Sequence, residues 1–209
     1  MAVTPLPSRR IGRPPATDSA ETRSRILDQA RVAFATDGFE AATNRSLADH
    51  VGVTAGALYH YFGSKLDLYL AVDADVQRRV YVRMNEAVDA ADGFFAKFEA
   101  VLDVARDLNA EDPSLATFLG ARRTDIRRHP EIAAAMPVER GRERDFFARI
   151  VAAGVDAGEI DDDHSAFVTE FVVTLLTGLT DGESYDPVVH ARAITAIKMV
   201  LRGELFGSR

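Results

Sequence analysis

The sequence predicts an all-α fold, with an N-terminal three-helix domain built on a helix-turn-helix and a C-terminal helical domain behind it. Three observations predict this. Apolar residues recur at helical spacing in segment after segment, Ile26, Leu27, Ala30, Ala33 and Phe34 being the first set. Capping residues stand ahead of those segments, several with proline in the first helical position. No alternating strand pattern and no internal repeat occurs along the 209 residues.

Taken in chain order, residues 1–17 hold four prolines and three arginines and read as a flexible basic arm. The helix carrying Ile26 to Phe34 is ended by Gly38. Thr43 caps a short helix that turns Leu47, Ala48 and Val51 inward, Gly52 supplies the turn, and Thr54 caps a second short helix running to about Tyr61. Ser64 and Asp67 form a capping box for a fourth helix that runs into the eighties. Later starts are marked by Asp92, Asp112-Pro113, His129-Pro130 and Asp186-Pro187, giving helices at roughly 92–109, 113–128, 130–157, 163–180 and 187–204. Pro137 and Gly141 should kink or break the 130–157 segment. The expected divisions are an arm over 1–17, a helix-turn-helix domain over 18–65 and a body over 66–209.

Composition narrows the function classes. With no cysteine, disulfides, thiolate chemistry and sulfur-based zinc sites are excluded. The N-terminus lacks the apolar stretch of a secretory signal. The longest apolar run, Ala166 to Leu179, is interrupted by Glu170 and is shorter than the ~20 residues of a membrane span. A cytoplasmic protein with no membrane partner is therefore expected. The net charge of −7 is unevenly spread: residues 1–65 hold eight basic against six acidic side chains, and the remainder seventeen against twenty-six. Any polyanion should meet the front.

Leu47, Val51, Val53, Leu58 and Phe62 are the expected packing residues of the helix-turn-helix, which leaves Ala55, Gly56, Ala57, Tyr59 and His60 toward a major groove. Small residues let the backbone approach the bases, and alanine methyls can meet thymine methyls. No arginine, lysine, asparagine or glutamine lies between Ala55 and Gly63, so attraction for phosphate must come from elsewhere. Its expected sources are the helix starts at Thr43, Thr54 and Ser64, the charges of Arg45 and Lys65, and Arg9, Arg10 and Arg13 of the arm laid in an adjacent minor groove.

Residues 38–72, GFEAATNRSLADHVGVTAGALYHYFGSKLDLYLAV, closely resemble the N-terminal motif of TetR/AcrR-type bacterial transcriptional regulators. The resemblance is carried by Gly38-Phe39, Thr43, Leu47-Ala48, Val51-Gly52-Val53-Thr54, Gly56, Leu58-Tyr59, Phe62, Ser64-Lys65 and Ala71-Val72. It implies DNA contacts at Thr43, Arg45, Thr54, Gly56, Tyr59, His60, Tyr61 and Lys65. Two residues depart from the pattern. Asn44 takes a place more often apolar, from which an amide can reach an adenine edge, and Tyr61 stands where histidine is usual.

Nine of the twelve phenylalanines lie beyond residue 65, and core packing accounts for most of them one by one. The resemblance implies that the C-terminal helices also dimerise and enclose a small-molecule pocket. The candidate pocket residues are Phe95, Phe98, Phe118, Phe146, Phe147, Phe171 and Arg122. Arg122 shares a helix face with Leu115, Phe118, Leu119 and Ile126; it either pairs with an internal carboxylate or meets an anionic ligand head. Ala166 to Leu179 is apolar almost all round and must bury two faces. Phe167, Phe171 and Leu175 there, with Ile194, Ile197 and Leu201 on the last helix, are the candidate residues of a four-helix dimer interface.

The reading is a sequence-specific DNA-binding transcriptional regulator: a homodimeric repressor on a near-palindromic operator, released by a hydrophobic or anionic small-molecule effector. An activator of the same architecture is the alternative. An enzyme would need a catalytic pair, and no nucleophile elbow, P-loop or dinucleotide fingerprint occurs. Asp161 to His164 reads as a solvated loop capping the next helix, so no catalytic residue, metal or cofactor is expected. A protein-interaction module is the third reading, and deleting the arginine arm discriminates it from DNA binding.

Overall fold

In a computed structural model of the protein, which describes residues 16–136, 139–181 and 186–206, the described residues form ten α-helices and one 3-10 turn, with no strand among them. The helices are α1 (Ala16–Ala41), α2 (Asn44–Val51), α3 (Ala55–Tyr61), α4 (Lys65–Asp89), α5 (Gly93–Glu111), α6 (Pro113–Arg128), α7 (Pro130–Ala135), α8 (Glu139–Asp156), α9 (Ser165–Gly178) and α10 (Pro187–Leu201).

Most boundaries follow from local chemistry. Thr43 accepts from the Ser46 N–H at 3.0 Å while Ser46 Oγ accepts from the Thr43 N–H at 2.9 Å, so α2 begins with a reciprocal capping box. Gly52 ends α2 in the left-handed region, at φ +73°, which a Cβ would disfavour. Thr54 caps α3 through the Ala57 N–H, and Ser64 caps α4 through the Asp67 N–H. Inside α1, Gly38 at φ +74° breaks the helical backbone near the expected end, although one further turn continues to Ala41.

Three expectations are corrected. Ala16 and Thr17, assigned to the arm, already belong to α1, and Arg9, Arg10 and Arg13 lie outside the described residues. The 130–157 segment is two helices, broken beside Pro137 as expected; Met136 leaves the helical region because the residue before a proline clashes with its ring. The segment expected at 163–180 starts as a 3-10 turn over Asp162–His164, and neither Asp161 nor His164 supplies a side-chain cap. The last helix ends at Leu201, three residues early.

A continuous apolar core joins the N-terminal helices to the body, from Ile26 and Phe34 of α1 through Tyr69 and Val76 of α4 to Phe147 of α8 and Ile194 of α10. Helix α1 packs against both α4 and α6, so the division expected at residue 65 falls in the first turn of a helix that serves both parts. Tyr69 stands at the junction with its ring edge-on to Phe34 and Phe39, at centroid distances of 4.9 and 5.2 Å, and tilted against Phe118 at 5.5 Å. Each such ring pair adds about 0.5–1.5 kcal/mol to the burial of its area. Arg31, buried on α1, ties the same junction: its guanidinium pairs with Asp28 and Asp112 and donates to Ser114 Oγ at 2.9 Å at the start of α6.

Candidate nucleic-acid interface and effector cavity

The helix-turn-helix is fixed from within by Leu47, Ala48, Val51, Leu58 and Phe62, all buried; Val53 is only partly so. That packing turns Thr54, Ala55, Gly56, Ala57 and His60 to the surface. A Cβ built on Gly56 meets no atom within 4 Å, so the entering end of α3 presents open space rather than packing. Tyr59 differs from its expected role. It is half-buried, its hydroxyl is turned away from solvent, and among the described residues that hydroxyl has no hydrogen-bond partner. Burial pushes the Tyr59 hydroxyl above the ordinary phenol range, so it remains a neutral donor.

The charges sit differently from expectation. Asn44 and Arg45 open α2 at the surface; the Arg45 side chain is 93% exposed and only loosely meets Asp49, at 3.9 Å. Lys65 is committed instead: its Nζ donates to the Phe39 carbonyl at 2.8 Å and lies 4.3 Å from the centre of the Phe39 ring. Its ammonium thus holds α4 to the end of α1 through a neutral carbonyl and a ring face. Tyr61 packs partly against the core with its ring edge toward His60. Sequence reasoning missed Arg23, an exposed side chain of α1 whose guanidinium lies 5.1 Å from the centre of the Phe62 ring, just past α3. Contacts between residues so far apart leave no local signal.

In the body, a cavity of about 100 Å³ lies between α4, α5, α6, α8, α9 and α10. Its walls include Val80 and Met84 of α4, Leu115 and Leu119 of α6, Phe147 of α8 and Leu176 of α9, with Arg122, Arg123 and His190 among its polar groups. Of the seven candidate pocket residues, Arg122 and Phe147 line this space and five do not. Phe98 is fully buried and stacked on Phe94, and Phe118 is fully buried against Tyr69. Phe146 packs edge-on to Tyr81 beside a shallower groove, while Phe95 and Phe171 are largely exposed. Periodicity identifies which residues point inward, but a helix packed on several sides has more than one inward direction.

Arg122 pairs with the buried carboxylate of Asp73 on α4, the internal partner that was one of its two expected roles. One turn further along α6, Asp125 is buried; its oxygens accept the Phe39 N–H, each at 3.2 Å, and the Tyr69 hydroxyl at 3.0 Å. Burial and the neighbouring Asp125 push the Tyr69 hydroxyl far above the phenol range, so it stays a donor. One helix therefore touches the cavity through Arg122 and the end of α1 through Asp125.

Helix α9 buries Thr169, Val172 and Leu176 within the protomer and leaves Phe167 73% and Phe171 46% exposed. Leu175, Ile197 and Leu201 are partly buried. Ile194, expected at a dimer face, is 1% exposed and belongs to the protomer's own core, whereas Val188, Val189 and Val200 of α10 are exposed. Among the described residues, no group of three metal-ligating side chains comes together, and no helix is long and apolar enough to cross a membrane.

Comparison with known proteins agrees with this architecture. Residues 26–72 match the family model described as bacterial regulatory proteins, tetR family. The helix-turn-helix transcriptional regulator UidR of Escherichia coli K12 is 24% identical over 194 residues, covering 92% of this chain and 97% of that protein. The transcriptional repressor AcnR of Corynebacterium glutamicum is 42% identical over 67 residues, 32% of this chain and 34% of that protein. The solved structure of the ketosteroid transcriptional regulator KstR2 of Mycobacterium tuberculosis superposes with a TM-score of 0.70 at 16% identity, over 96% of this chain and all of that one.

Proposed function

We propose that this chain, whose residues 26–72 match the tetR family model, is a TetR-family transcriptional regulator that represses transcription as a homodimer, with α3 of each protomer in successive major grooves of a near-palindromic operator. A small molecule in the α4–α10 cavity releases it. The observation that carries this reading is the exposed, uncharged face of α3, from Ala55 to His60, held on a fully packed helix-turn-helix. Such a face suits close approach to base edges, while Asn44, Arg45, Arg23 and the arm arginines Arg9, Arg10 and Arg13 supply attraction for phosphate.

Two features support the switch. The cavity is walled by α4 and α6, and α6 holds the end of α1 through Asp125 and Phe39. A ligand that fits only one arrangement of α6 against α4 biases the position of the helix-turn-helix, and only such differential affinity moves the equilibrium. The bare apolar faces of α9 and α10, with Phe167, Phe171, Val188 and Val200, support a dimer; a monomer would leave them in water. A soluble, cytoplasmic protein with no enzymatic activity is part of the same reading.

A gel shift on the DNA upstream of its own gene tests the proposal. Specific binding that falls steeply with salt is expected. Binding that is absent, or equal on unrelated DNA, overturns it. Transcription from that promoter, rising when the gene is deleted, separates repression from activation.

A further inference from the structure

We infer that the effector is a neutral molecule of about one ring in size carrying a hydroxyl, and that His190 is the side chain that binds the hydroxyl. This rests on the cavity's being the regulator's effector site. The size follows from the space. About 100 Å³ is somewhat less than the ~150 Å³ of an apolar protein cavity known to take benzene, so a single ring is near the upper limit.

The absence of charge follows from the walls. Both guanidiniums on the cavity already have partners. Arg122 pairs with Asp73, and Arg123 donates to the carbonyls of Thr177 and Thr180 at 3.1 and 2.9 Å, at the end of α9. A bound carboxylate would have to displace Asp73, or sit beside it as a like charge in a poorly hydrated space. A cation finds no carboxylate among the lining residues.

The hydroxyl follows from His190. It is 2% exposed, it lines the cavity, and its Nδ1 has no hydrogen-bond partner among the described residues. Burial lowers its pKa, which keeps the ring neutral at neutral pH, with one nitrogen donating and the other accepting. A hydroxyl both donates and accepts, so it satisfies Nδ1 in either tautomer; a carbonyl satisfies only one. Val80, Met84, Leu119 and Phe147 give the ring an apolar wall, while Gln77, Tyr81, Asn109 and Thr180 complete the lining.

Phenol, toluene and benzoate are the probes, titrated into the full chain without DNA at neutral pH and followed by calorimetry and by the NMR signals of the histidine rings. Phenol and toluene have nearly the same shape and differ in the hydroxyl. Phenol is expected to bind about ten-fold more tightly than toluene, the effect of one net hydrogen bond, with benzoate showing no saturable binding. In His190→Phe the preference for phenol is expected to vanish while toluene still binds, and His190→Asn is expected to retain part of it. Benzoate binding as tightly as phenol, an unchanged phenol-to-toluene ratio in His190→Phe, or no binding by any probe each overturns the inference. If His190→Phe fails to fold, the wild-type His190 ring decides: a shift on adding phenol supports the inference and a still signal refutes it. Operator binding by the same samples without probes tests the regulator reading separately, because either result can fail while the other stands.

Discussion

The carboxylate of Asp125 on α6 grips the backbone N–H of Phe39 at the end of α1, with both oxygens 3.2 Å from it. Tyr69 of α4 donates to the same carboxylate, so three helices meet at one buried acceptor. Asp125→Ala leaves the Phe39 N–H and the Tyr69 hydroxyl buried without a partner, and should lower stability by about 3 kcal/mol. Tyr69→Phe alone should cost about 1 kcal/mol. Because the two share an interaction, the double variant should lose at least ~0.5 kcal/mol less than the sum. Urea unfolding of the four proteins measures this cycle. Strict additivity would show that the carboxylate does not couple α4 to α6.

Gly56 separates recognition from folding. Its φ is unremarkable and nothing lies within 4 Å of a Cβ added there. Gly56→Glu should therefore leave the thermal unfolding temperature within a few degrees of wild type, while its carboxylate opposes the DNA and abolishes operator binding. Tyr59→Ala should also weaken binding strongly, through loss of the half-buried ring beside the exposed Gly56, Ala57 and His60. Unchanged operator affinity in both variants would mean that α3 is not the helix in the groove.

What could be read ahead of the structure was governed by range. The caps at Thr43, Thr54 and Ser64 and the break near Pro137 arise from residues within four positions of one another, and the sequence displays them directly. The bond from Lys65 to the Phe39 carbonyl spans 26 residues and that from Phe39 to Asp125 spans 86, and neither leaves a local signal. The opening of α10 runs against hydropathy. Val188 and Val189 are exposed while His190 is buried, since Pro187 fixes where the helix begins and thereby which side the fourth residue takes. Hydropathy alone assigns those three positions the opposite way.

The outer face of α9 should set the oligomeric state. Phe167 and Phe171 stand outside the protomer's core, so replacing both with glutamate removes little from the fold and places two charges in the proposed interface. Analytical ultracentrifugation at micromolar concentration should find a dimer for wild type and a folded monomer for Phe167→Glu/Phe171→Glu. Operator binding should fall with dimerisation, since a single recognition helix gives up half of the site. A wild-type monomer, or a variant that remains dimeric, would place the interface elsewhere.

His190 should leave a pH signature in stability. Its pKa in the folded chain is lowered from the ordinary 6.5 by burial, whereas in the unfolded chain the ring protonates near that value. Between the two pKa values the unfolded state binds more protons, so the contribution is fully present above about pH 6.5 and is lost as pH falls through the folded pKa. Arg122, Arg123 and Tyr81 are the ionisable neighbours on the same cavity, and all three are common to wild type and His190→Asn. The other four histidines are common to wild type and His190→Asn, so comparing the two isolates His190. Urea unfolding at pH 7.5 and pH 5 should show wild type losing more stability than His190→Asn on acidification. A difference between the two proteins that does not change with pH would mean that the folded chain protonates this ring as readily as the unfolded one, and that its burial carries no electrostatic cost.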